Sequence, residues 1–144
     1  MTLHYEQIYP VNTLVLWEAL TKVEQMQKWY FPQLSSFEAK SGFTTSFKVF
    51  NGHRTFTHLW KVIAVVPYSY LKYQWYYLEY TGDSTVEFTL NEKGNASELQ
   101  FKHTIKTPFP PNIPEFTEES GAAGWDYLLK RSLKKFLDEK SKDN

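Results

Sequence analysis

Residues 120–137 read SGAAGWDYLLKRSLKKFL. Trp125, Leu128, Leu129, Leu133, Phe136 and Leu137 recur at three- and four-residue spacing, the stripe of an amphipathic helix. Lys130, Arg131, Lys134 and Lys135 form the wet face and complement the C-terminal end of the helix dipole. Upstream, Thr117 followed by Glu118 and Glu119 is a good start: a capping hydroxyl, then acids in the first turn. Between start and stripe stands Gly121-Ala122-Ala123-Gly124, although each glycine costs a helix roughly 1 kcal/mol relative to alanine. Gly121 and Gly124 fall on nearly the same side of the helix. Two readings are open. Either the helix backbone approaches its neighbour closely there, or space is left for a ligand at a pocket rim.

A helix with one long apolar stripe must bury it, and the preceding sequence supplies the surface. From about Ser35 to Lys106 turn signals punctuate the chain: Ser41-Gly42, Asn51-Gly52, Pro67-Tyr68-Ser69, Thr81-Gly82-Asp83 and Lys93-Gly94-Asn95. Asn-Gly between alternating segments is a strong hairpin cue. The spacing predicts strands over 34–39, 43–50, 54–66, 69–79, 84–91 and 96–106. Alternation names the buried faces. Phe43, Thr45, Phe47 and Val49 share one, as do Leu71, Tyr73, Trp75 and Tyr77. Val86, Phe88 and Leu90 share another, and Leu99, Phe101, His103 and Ile105 the last. His58, Trp60 and Val62 lie together, but 62–66 is apolar on both sides, which leaves the facing of that strand open.

Ahead of this run, Leu3 to Tyr9 alternates as a further strand. Asn12 or Thr13 then caps a short helix through Leu20 that buries Leu14, Trp17 and Leu20. Thr21, with Glu24 three residues on, predicts a capping box for a second helix, which Trp29-Tyr30-Phe31-Pro32 ends. The proline-rich stretch from Thr107 to Phe116 reads as a rigid, irregular connection to the last helix rather than a PxxP ligand. The resulting order is strand, two short helices, six strands and a long helix. That is an α+β fold in which an antiparallel sheet is covered by the terminal helix.

A chain of 144 residues fits one domain, 1–144. The absence of cysteine excludes disulfides, zinc–thiolate sites and cysteine nucleophiles. Lys+Arg and Asp+Glu are both 16, a balance that argues against nucleic acid or an anionic membrane as the main partner. No apolar run of about 18 residues is present and the N-terminus lacks the features of a signal peptide, so the expectation is a cytoplasmic protein. His4, His53, His58 and His103 show no metal spacing, and no nucleotide-binding or hydrolase motif occurs. Neither a metal nor a cofactor is expected. Aromatic residues make up 18% of the chain, which means either a packed aromatic core or an aromatic-lined cavity.

Several short motifs, taken in order, resemble the START-like superfamily, and within it a stand-alone member of the activator of Hsp90 ATPase C-terminal-like family. They are VLWEALTKVEQMQKWYFP at residues 15–32, Gly42 opening an F-x-x-x-F strand, and Val62 to Pro67 followed by Leu71-x-Tyr73-x-Trp75. Leu99-x-Phe101-x-His103 and Gly124-Trp125 complete the set. The resemblance implies a helix-grip fold, in which a curved sheet wraps a long C-terminal helix and leaves a tunnel between them. It also implies one of three occupations: binding lipids or polyketides, cyclising small molecules, or stimulating Hsp90. One departure stands out. The strand before Pro67 usually carries glycine where this chain has Trp60, and an indole there narrows any cavity.

The function expected is binding of a small hydrophobic or aromatic molecule between sheet and helix. The cavity candidates are Phe47, Trp60, Tyr73, Trp75, Tyr77, Phe88, Phe101, His103, Gly121, Gly124 and Trp125. Tyr73 and Tyr77 stand out because a buried phenol needs a hydrogen-bond partner. His103 has three open readings: a structural neutral imidazole, a ligand contact, or a general base. The alternative functions are a stress-response protein that engages an Hsp90-type chaperone, and a cyclase- or dehydratase-like enzyme using His103 with a tyrosine. The sequence leaves monomer and homodimer equally open.

Overall fold

The structure, a computed structural model, describes residues 1–142. Alternating residues at the N-terminus form β1 (Thr2–Tyr9), with Tyr9 buried and Ile8 turned outward. Two short helices follow, α1 (Thr13–Thr21) and α2 (Val23–Trp29). The hairpin run gives β2 (Thr44–Asn51), β3 (Arg54–Val66), β4 (Tyr70–Tyr77), β5 (Asp83–Lys93) and β6 (Ala96–Thr107). All pairings are antiparallel and the sheet order is β1-β6-β5-β4-β3-β2. The sheet is curved and open, as a helix-grip fold requires.

The long helix is built in three parts: α3 (Glu118–Tyr127), a π-helical turn (Leu128–Ser132) and α4 (Leu133–Lys142). Thr117 caps it, its hydroxyl accepting from the Ser120 N–H at 3.2 Å. Its buried residues are Trp125, Leu129, Leu133 and Leu137, a strict four-residue repeat. An α-helix has 3.6 residues per turn, so such a stripe drifts by about 40° per step. The wider π turn takes up part of that drift and keeps the stripe on the sheet. Trp125 lands on Phe101, ring centroids 4.2 Å apart, and the Tyr5 phenol of β1 donates to the Ala122 carbonyl at 2.9 Å. Among the described residues no helix is long and apolar enough to cross a membrane.

The structure departs from expectation in three places and settles a fourth point that the sequence leaves open. Residues 34–39 form no strand, so five strands rather than six follow the short helices. Leu34 and Phe37 are both buried, and residues three apart point to opposite faces of a strand, so no single buried face exists. The segment instead runs as coil against the core, where the Phe37 ring meets Trp60 and Tyr73. Leu14 is 48% exposed, because α1 buries Leu16, Trp17, Ala19 and Leu20. The capping box at Thr21 does not form. Lys22 occupies the cap of α2, and the Thr21 hydroxyl donates back to the Trp17 carbonyl at 2.7 Å. Finally, a register shift between Val62 and Ala64 settles the facing of β3. Val62 pairs with Tyr73 and Val65 with Leu71, so both face the core while Ile63 bulges outward. The apolar doubling at 62–66 is the imprint of that bulge.

Candidate functional site

The half of the long helix that starts poorly lies over a cavity of about 760 Å³. Trp75 and Tyr77 reach it from β4, His103 and Ile105 from β6, and Leu3 from β1. The helix contributes Gly121, Gly124 and Trp125, and the proline-rich connection contributes Phe109 and Phe116. Strand alternation is what delivers these side chains together: Trp75 and Tyr77 are two apart, as are His103 and Ile105.

The two glycines can now be placed. A Cβ at Gly124 would meet nothing within 4 Å, and one at Gly121 would find only Leu3 Cδ1 at 3.9 Å. Close backbone packing does not require glycine at either position. Their missing side chains leave open space on the cavity wall.

His103 sits in a hydrogen-bonded chain whose direction follows from its ends. The Ser84 hydroxyl donates to the Trp75 carbonyl at 2.7 Å, so its oxygen accepts from His103 Nε2–H at 3.0 Å. His103 Nδ1 then accepts from the Trp125 indole N–H at 3.1 Å. Both ring nitrogens are engaged, and burial lowers the imidazole to about 4, so it is neutral near pH 7. This histidine orients Trp125; it has no nitrogen left over for a proton from a substrate. His58 is a second neutral imidazole. Burial brings it to about 4 although the Phe56 carbonyl accepts from its ring at 3.1 Å, and it lies stacked on Phe47.

Tyr77 is the other polar group of the wall. Its hydroxyl oxygen accepts from the Trp75 indole N–H at 2.8 Å, and burial pushes its pKa up to about 12. Phe109 and Phe116 stack on one another and stand against the Tyr77 ring, at centroid distances of 5.4 and 5.0 Å. The connection is tied down beside them. Glu115 accepts from Arg54 Nε at 2.9 and 3.0 Å and from Asn51 Nδ2 at 2.6 Å. Burial alone would raise the Glu115 carboxyl, but these hydrogen bonds outweigh it and hold the group below the usual range. Gly82, at φ 123°, admits the Phe109 ring where a side chain would collide with it.

Of the candidates read from the sequence, Trp75, Tyr77, His103, Gly121, Gly124 and Trp125 line the cavity. Phe47, Trp60, Tyr73, Phe88 and Phe101 are packed in the core beyond it. The Tyr73 phenol has found its partner in the Tyr30 hydroxyl, 2.8 Å away. Trp60 is 2% exposed, wedged among Tyr30, Phe47, Tyr73 and Trp75. Phe109 and Phe116 join the site from outside the sequence candidates. The signal was there, since two phenylalanines in a proline-rich connection must bury their rings against something.

The family model described as activator of Hsp90 ATPase homolog 1-like protein matches residues 10–138. Among solved structures, protein MLL2253 from Mesorhizobium loti is similar with a TM-score of 0.75 and 20% identity, over 96% of this chain and 98% of its own. Protein CV1439 from Chromobacterium violaceum gives 0.77 and 16%, over 94% and 96%. Ara h 8.0201 gives 0.71 and 15%, over 100% and 99%. At these identities the likeness is one of fold. No curated protein matches the sequence.

Proposed function

The chain belongs to the activator of Hsp90 ATPase homolog 1-like family, and from that premise we propose that it binds a small apolar or aromatic molecule in the cavity under the start of the long helix. The observation that carries this reading is the pair Gly121 and Gly124. Both give up helix stability, roughly 1 kcal/mol each, and neither is needed for packing, yet both leave space on the cavity wall. At about 760 Å³ the cavity is the size of known small-molecule sites, and its aromatic lining suits a flat ligand. The fold family is generally one of ligand-binding domains. The committed nitrogens of His103 favour binding over acid–base turnover. A cysteine-free chain also folds without an oxidising compartment, which suits a cytosolic binding protein.

Native mass spectrometry of protein purified from its own host is expected to show a bound small molecule released on unfolding. Because Trp75 and Trp125 line the cavity, a panel of aromatic compounds is expected to quench intrinsic fluorescence. Empty protein that also ignores the panel would overturn the reading. The family description supports one alternative, stimulation of an Hsp90-type ATPase, which a rise in that ATPase rate on titrating the protein would reveal.

A further inference from the structure

We infer that the molecule held in this cavity is a neutral aromatic compound bearing a carbonyl group, and that the carbonyl oxygen accepts the phenolic proton of Tyr77. This rests on the binding function proposed above and narrows it to a ligand class. Most of the buried protons on the cavity wall are already committed to protein acceptors. The Trp125 N–H is spent on His103 Nδ1, and the His103 Nε2–H on Ser84. The Ser84 hydroxyl proton goes to the Trp75 carbonyl, and the Trp75 N–H goes to the Tyr77 oxygen. Each of these donors ends on a protein acceptor. The Tyr77 O–H has no protein acceptor among the described residues, and, unlike the solvent-exposed hydroxyls of Ser120 and Tyr127 on the same wall, it belongs to a half-buried residue.

A phenol in that position selects by chemistry. Its oxygen already receives the Trp75 N–H, so a ligand donor is poorly served, whereas a ligand acceptor completes the chain. Burial raises the phenol to about 12, opposed by the Trp75 hydrogen bond, so it keeps its proton at any physiological pH. Charge is disfavoured. Of the charged side chains on the wall, Glu115 is committed to Arg54 and Asn51, and Lys106 and Glu118 are exposed to solvent. Burying an anion without a partner is costly. The rings of Phe109 and Phe116, standing against Tyr77, ask for a flat body attached to that acceptor.

The test is a cycle of two ligands against two proteins, using 1-acetonaphthone and naphthalene with wild type and Tyr77→Phe. The ketone-to-hydrocarbon affinity ratio is expected to fall about tenfold in the variant, the worth of one good hydrogen bond. The infrared carbonyl stretch of bound ketone is expected at hydrogen-bonded frequency in wild type and near its alkane value in Tyr77→Phe. If the variant fails to fold, the wild-type stretch decides alone. A ketone bound with an alkane-like stretch, or a ratio that Tyr77→Phe does not change, overturns the ligand class and leaves the binding function standing. Failure of both compounds to bind wild type counts against the binding function itself, and the ligand class falls with it.

Discussion

The Tyr9 phenol of β1 donates to the Leu129 carbonyl at 2.7 Å, at the π turn of the long helix. There the Leu133 N–H reaches back to Leu128, so the Leu129 carbonyl loses the partner a regular α-helix would give it. Tyr9 is fully buried and supplies the missing donor. Removing only the hydroxyl with Tyr9→Phe leaves a buried carbonyl unsatisfied, and the expected loss is about 1–3 kcal/mol. Urea unfolding measures it directly. A change below about 0.5 kcal/mol would mean that the carbonyl finds another donor at no cost.

Gly124 separates stability from binding. Nothing lies within 4 Å of a Cβ placed there, so Gly124→Ala is expected to raise stability by up to about 1 kcal/mol through helix propensity. Gly124→Leu is expected to fold at least as well as wild type while weakening aromatic ligands at least tenfold, since Gly124 lines the cavity. Thermal melts and fluorescence titrations on the same samples read both effects. Destabilisation by alanine would restore the close-packing reading of this glycine.

The helix stripe and the alternating strands were legible because each has a period that one buried face enforces. The features that escaped were those where two periods meet or where a partner from far along the chain decides. Leu34 and Phe37 are apolar in an extended segment, but their spacing fits no strand, and only the core beneath explains them. The bulge at Ile63 appears in sequence as an ambiguity rather than a signal. At the site, Trp75, Tyr77 and His103 could be placed on inward faces, yet alternation cannot say how far along a strand the core ends and the cavity begins. That boundary is set by Trp60, whose indole fills the space beside Tyr73 and leaves the cavity to the Tyr77 end. The hydrogen-bond direction through His103 likewise depends on Ser84, which no motif marks.

Burial gives the two histidines a testable pH signature. His58 and His103 are both lowered to about 4 by desolvation, against an unfolded value near 6.5. Between those values the unfolded chain binds more protons than the native one, so stability falls as pH drops from about 6.5 towards 4 and levels below it. Each histidine contributes at most about 1.4 kcal/mol per pH unit. Glu79 and Glu115, held below their usual range, lose their contribution only as pH falls towards the unfolded carboxylate range, so the histidines dominate the window from pH 6.5 to 5. Urea midpoints across that window are expected to fall, with about half the slope in His103→Gln. An unchanged slope in that variant would show that His103 does not titrate with unfolding.

Trp60 is buried at the centre of the aromatic core, and its energetics are mixed. Its rings fill the core against Phe47 and Tyr73, at centroid distances of 4.9 and 4.7 Å, but its Nε1–H is buried with no hydrogen-bond partner. Truncating a buried tryptophan to alanine typically costs about 3–5 kcal/mol. Trp60→Phe removes the orphaned N–H together with part of the ring, so relief of about 1–3 kcal/mol of desolvation offsets the lost packing. Trp60→Phe is therefore expected to lie within about 1.5 kcal/mol of wild type, while Trp60→Ala loses at least about 3 kcal/mol. Alanine would also open the packed core towards the cavity through the Trp75 side, and larger aromatic probes are then expected to bind more tightly than they do to wild type. Denaturation of the two variants checks the first expectation and competitive titration the second. If Trp60→Phe cost as much as Trp60→Ala, the indole would have to be engaged in a hydrogen bond after all.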